Sequence, residues 1–165
     1  MILALFFSMG ALAADFAIKG ATILPVTAAP IDNGTVLISD GVIAAVGVDI
    51  EIPEGVETID ATGQFLMPGI IDVHSHMGVY PWPSAKAHGD GNEAIAPVTA
   101  RVRAEDSVHV SDPAFDRARA GGVTTIQVLP GSANIVGGEA VTLKLRQSRT
   151  LAGLKMDGAP RGIKM

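Results

Sequence analysis

The chain has 165 residues, 48% apolar and 18% charged, which argues against intrinsic disorder and supplies apolar side chains for a core. A net charge of −5 with no run of Lys or Arg argues against a nucleic-acid binder. The absence of cysteine excludes disulfides, zinc fingers, iron–sulfur clusters and thiol catalysis, so any metal must rest on His, Asp, Glu or a modified Lys.

In chain order, residues 1–13 (MILALFFSMGALA) form an uncharged apolar stretch ending in Ala11-Leu12-Ala13, the pattern of a secretory signal peptide, although no basic residue precedes it. The stretch is too short for a spanning helix, which needs about 20 residues, so no stable membrane span is expected. Removal of residues 1–13 and export, to the periplasm, is the expectation; if the stretch is instead a buried strand or helix, the protein is cytoplasmic.

Residues 14–66 read as a small antiparallel β-unit. Phe16–Leu24 is β-prone and stops at Pro25, and the runs Gly34–Ser39 and Val42–Gly47 are separated by Asp40-Gly41, a strong hairpin signal. A third short run, Glu57–Asp60, precedes a turn at Ala61-Thr62-Gly63. The pattern changes near Leu66. Ile70–His76 is a nearly continuous apolar strand that turns polar at its end, as strands buried on both faces do. The stretch from Met77 to Ser111 has no periodicity, and a loop of that length is usually functional.

Asp112-Pro113 predicts a helix N-cap with Pro at the first position, and Gly121-Gly122 its stop. The β-branched run Val123–Leu129 follows, so a βαβ unit with two parallel strands is expected over residues 70–129. Further strands are expected near Val141–Leu145 and Arg161–Met165.

The strongest chemical feature is His74-Ser75-His76. Alternation in a strand puts Asp72, His74 and His76 on one face, where two imidazoles can reach one cation and Asp72 can orient a ring. The alternative is a pair of hydrogen-bonded or exposed residues at a strand end. His88 and His109, in the long loop, read as solvated, and Lys144 and Lys164, on candidate strands, as solvated or snorkelling. The loop Gly131–Gly138 lacks the ending of a phosphate loop. Tight turns explain its glycines, with substrate contact through backbone amides as the alternative. Asp90, Asn92 and Glu93 read as a solvated loop or a substrate gate. Tyr80-Pro81-Trp82-Pro83 reads as a pocket wall or a rigid loop whose Trp82 packs down.

Met67–His76 resembles the first-strand signature of the amidohydrolase superfamily of metal-dependent hydrolases, and Ile59–Gln64 is similar to the segment leading into it. Gly121–Thr125 resembles the second barrel strand. Gly89–Glu93, Leu129–Asn134, Gly137-Gly138 and Ala159–Met165 look like exported bacterial members near the imidazolonepropionase-like branch. The resemblance implies an α/β fold: part of a small β-sandwich over residues 14–66, followed over 67–165 by the first strands and helices of a TIM-like (β/α)8 barrel.

The resemblance also implies that His74 and His76 ligate a divalent metal, zinc first among the candidates, as one or two ions. The activity it implies is attack of a metal-activated water on a small-molecule amide, cyclic amide or dipeptide. In some members a carboxylated Lys bridges two metals, a role for which Lys144 and Lys164 could be proposed, although neither is taken as a site residue. Residues 67–165 are far fewer than the about 250 of a whole barrel, so the barrel is expected to be incomplete, with the general-base Asp beyond residue 165. The chain thus reads as the N-terminal part of a hydrolase of C–N bonds, inactive alone and open to homo-oligomer formation. A prolidase-like dipeptidase and a non-catalytic truncated product or interaction module are the alternatives.

Overall fold

The structure, a computed structural model, describes residues 15–165; the apolar stretch 1–13 read as a signal peptide lies outside the described residues. No helix among the described residues is long and apolar enough to cross a membrane. The chain divides into two compact units, one ending at Pro68 and one beginning at Gly69.

In the first unit, β1 (Phe16–Ile23), β2 (Ile31–Ser39), β3 (Val42–Gly47) and β4 (Glu57–Asp60) lie in the order β3-β2-β1-β4, and β5 (Phe65–Leu66) also pairs with β1. Asp40 (φ 53°) and Gly41 (φ 75°) both take positive φ, so the hairpin between β2 and β3 closes in the twist-matched turn that Asp-Gly favours. The unit is not wholly antiparallel as expected, because β4 and β5 run parallel to β1. Residues 48–56 are long enough to carry the chain from β3 to the far side of β1, a path that a two-residue turn cannot make. Ala21, Ile23, Val36 and Ala61 form the buried core of this sheet, flanked by Ile18, Ile31, Ile38 and Leu66.

The second unit is mixed α/β with few helices. Its strands are β6 (Ile70–Ser75), β7 (Val123–Val128), β8 (Gly138–Glu139), β9 (Val141–Lys144) and β10 (Ile163–Lys164). The helices are α1 (Pro113–Ala120) and the single turn α2 (Leu151–Leu154), with 3-10 turns at Lys86–His88 and Ala104–Ser107 inside the long loop. One sheet has the order β6-β7-β9, and β8 pairs with β10 separately. β6 and β7 are parallel, joined through α1 as the sequence predicts, while β9 runs antiparallel to β7.

The core gathers Ile126 and Val128 of β7, Val141 and Leu143 of β9, Phe115 of α1, Val79, Ala104, Leu145 and Leu154. β7, flanked on both sides, is well buried, with Thr125, Ile126 and Val128 in the interior. β6 is not. Although it reads as a strand buried on both faces, Ile71 is 64% and Val73 68% exposed, because β6 has a strand neighbour on one side only.

Asp112 ties this unit together. Only 3% exposed, it caps α1 by accepting from Ala114 N–H at 2.9 Å. The same oxygen accepts from Trp82 N–H at 3.0 Å, and the other from Gly78 N–H at 2.9 Å. One buried carboxylate therefore satisfies three backbone donors and joins the segment after β6 to the start of α1.

Two expected outcomes follow. Asp112→Ala leaves three donors without their acceptor and costs about 3 kcal/mol in urea unfolding, whereas Asp112→Asn, which keeps one acceptor oxygen, costs less. In the first unit, the hydroxyl of Thr62 (2.6 Å) and then its N–H (2.9 Å) hold the Asp60 carboxyl below the ordinary carboxylate range. A depressed carboxyl stabilises above its unfolded pKa, about 3.9, and that contribution is lost as pH falls through the folded value. Thermal melts of Asp60→Asn should thus converge on those of the parent chain below about pH 4.

Candidate metal centre

β6 carries His74 near its end and His76 just beyond it, and their rings meet edge to face with centroids 5.3 Å apart. Among the described residues no hydrogen bond joins Asp72 to either ring; its carboxylate accepts from the backbone N–H of His74 at 3.0 Å. His76 is oriented by a carbonyl instead: its Nδ1 lies 2.8 Å from the Leu129 oxygen, directly after β7. A carbonyl only accepts, so Nδ1 carries the proton and the neutral ring keeps its lone pair on Nε2. Nothing in the local sequence signals this partner, which is 53 residues away.

Lys164 is the residue that sequence reasoning passed over. The two candidate lysines look alike in the sequence, but Lys144 is exposed on β9, whereas Lys164 is 7% exposed on β10. Its Nζ lies 3.0 Å from His74 Nε2. Such a hydrogen bond needs a lone pair on one nitrogen; with Lys164 as an ammonium, that nitrogen is His74 Nε2. Pairing of Lys164 with Gly138, and donation from Gly137 N–H to the Lys164 carbonyl at 2.9 Å, hold the lysine beside the loop after β7.

That loop is strapped to the segment before it. Gly131 N–H donates to the Gly91 carbonyl at 2.7 Å, and Ala133 N–H to Asn92 Oδ1 at 3.1 Å. Asn134 Nδ2 donates to the Ala96 carbonyl (3.0 Å) and to Thr99 Oγ1 (2.7 Å), while Thr99 N–H donates to the Val136 carbonyl at 2.8 Å. Asn92 and Asn134 thus act as struts. Asn134 Oδ1 is buried with no partner among the described residues. Of the loop's glycines, Gly138 has positive φ but Gly131 and Gly137 do not, so turn conformation does not account for those two.

The remaining candidates lie elsewhere. His88 and His109 stack on each other with centroids 5.2 Å apart, both exposed, and do not join His74 or His76. Trp82 lies under the Arg117 guanidinium, 3.7 Å from its ring centroid. Glu93 accepts from Ile95 N–H at 3.0 Å, and Asp90 is exposed.

Two imidazoles, one with Nδ1 on a carbonyl and Nε2 left free, the other with Nε2 3.0 Å from a buried amine, fit two positions of a divalent-metal site. Among the described residues no group of three or more His, Cys, Asp or Glu could hold a metal ion. Catalytic zinc normally takes three protein ligands, so the pair is a partial set.

No family model matches the chain. An amidohydrolase, tasK, of Hapsidospora irregularis is 41% identical over 114 residues, 67% of this chain and 12% of the relative. A dihydroorotase of Mycobacterium tuberculosis is 50% identical over 42 residues, 26% of this chain and 10% of the relative. The crystal structure of an amidohydrolase from Thermotoga maritima matches with TM-score 0.82 and 43% identity, over 91% of this chain and 38% of that one. The chain therefore spans from a tenth to two-fifths of the length of these relatives. Homologue names and the structural neighbour together support the amidohydrolase superfamily, a family of hydrolases.

Replacing the strut tests the strap. Asn134→Ala should raise the hydrogen-exchange rate at Thr99 N–H by about tenfold or more, with little change at β7 amides such as Ile126.

Proposed function

We propose that residues 16–165 are the N-terminal part of a metal-dependent hydrolase of C–N bonds in small amides or cyclic amides, with His74 and His76 as ligands of a divalent ion. The observation that carries this reading is the convergence of His74 and His76 with the buried Lys164 amine at one strand end. We further propose that the first unit is part of a small β-sandwich, that the second begins a (β/α)8 barrel, and that the protein is exported.

A bound divalent ion supplies Lewis acidity and a hydrolytic water that ionises near neutral pH. The chain's own residues prepare the site. Leu129 holds the His76 proton at Nδ1 and so keeps Nε2 free. Lys164, shielded from solvent, stands where a positive charge opposes the arrival of a metal at His74 Nε2. Loss of a proton from the ammonium gives the neutral amine, whose reaction with carbon dioxide forms a carbamate and releases a second proton. That exchange turns the opposing cation into an anion with two oxygen donors beside His74, so Lys164 joins the proposed site as its carbamate.

The test uses the full-length protein. Metal analysis should find at least one divalent ion per chain, with hydrolysis of at least one of dihydroorotate, a hydantoin and an Xaa-Pro dipeptide. His74→Ala and His76→Ala should each lose metal and at least about a hundredfold in kcat/KM. Lys164→Ala should lose metal and the carbamate carbon signal that the parent chain shows after labelling with 13C-bicarbonate. A full-length chain with no affinity for zinc, manganese or nickel ends the proposal.

A further inference from the structure

The segment after β6 turns back on itself, with Val79 and Tyr80 N–H both donating to the His76 carbonyl, at 3.1 and 2.9 Å. This turn brings the Tyr80 ring edge to face against the His76 ring, centroids 5.7 Å apart and planes at 78°. The other side of Tyr80 rests on backbone. A Cβ built on Gly91 would overlap the Tyr80 ring, and one on Gly131 would overlap its hydroxyl and the Asn92 side-chain Oδ1. These two glycines are hydrogen-bonded to each other, and neither takes a positive φ. Their lack of a side chain is therefore explained by the flat seat they give the aromatic ring rather than by turn conformation. Asp112 holds the seated segment from behind through Gly78 and Trp82, on either side of Tyr80.

We infer that Tyr80, seated on Gly91 and Gly131, is a positioning residue for His76, fixing the imidazole plane so that Nε2 faces the site. The Leu129 carbonyl sets which nitrogen is protonated, but a single hydrogen bond leaves the ring able to tilt about it. The Tyr80 ring packed against it removes that freedom. Tyr80 is 40% exposed, so filling the core does not explain its placement. The inference rests on the reading of His76 as a metal ligand, and it assigns a structural reason to Gly91 and Gly131, which lie in two separate sequence motifs.

Two measurements on the full-length chain decide it. In the metal-free protein, labelled-histidine NMR should show the His76 ring as one ordered Nδ1–H tautomer in the parent chain and in Tyr80→Phe, which keeps the ring. Tyr80→Ala and Gly131→Ala should show an averaged or mobile ring. Competition with a chromophoric chelator should find zinc affinity weakened about 10- to 100-fold in Tyr80→Ala and Gly131→Ala, and within about threefold of the parent in Tyr80→Phe. If Tyr80→Ala does not fold, Tyr80→Leu, which keeps apolar bulk without a planar edge, makes the same comparison. An ordered His76 ring in the folded Ala or Leu variant overturns the inference. A parent chain that takes up no zinc defeats the functional reading instead, and the metal-free NMR comparison still decides what Tyr80 does.

Discussion

The parallel pairing of β6 with β7 is the constraint on which the candidate site depends. Its register sets Ser75 beside Val128, and Leu129 N–H then donates to the Ser75 carbonyl at 2.9 Å. The next acceptor along the chain, the Leu129 carbonyl, is thereby brought to His76 Nδ1. A slip of one residue would reverse the strand's faces and turn His74 and His76 together to the opposite side of the sheet. Parallel pairing also requires a crossover, and residues 76–122, with α1 at their end, provide it.

Around that pair the long crossover is ordered by polar groups more than by apolar packing. Asp112 satisfies three backbone donors, two of them flanking Tyr80, while Asn92, Asn134 and Thr99 stitch the middle of the crossover to the loop after β7. A segment without periodicity pairs only part of its backbone within itself, so its remaining donors and acceptors find partners elsewhere. Short polar side chains at fixed places supply them. The apolar core lies to one side, between β7, β9 and α1, and leaves His74 at the open edge of the sheet.

Lys164 illustrates how burial changes chemistry. An exposed strand lysine is a solvated cation, but one removed from water loses hydration that its partners must replace. Here the partner of Nζ is an imidazole nitrogen, which supplies a lone pair but no negative charge. The neighbour of this amine is one of the two proposed ligands.

Local patterns alone determined much of this. Asp40-Gly41 specified a hairpin because both positions tolerate positive φ, Asp112-Pro113 and Gly121-Gly122 bounded α1 by satisfying or breaking helical hydrogen bonds, and His74-Ser75-His76 set two imidazoles on one face through the twofold period of a strand. What the tertiary structure decided were relations between residues far apart in sequence. The direction of β4, the exposure of β6, the choice of Lys164 over Lys144, and the seat that Gly91 and Gly131 make for Tyr80 all depend on which segments become neighbours. Periodicity and turn chemistry act over a few residues, whereas the partner of His76 is 53 residues away and that of His74 is 90. Only the folded chain brings those partners together.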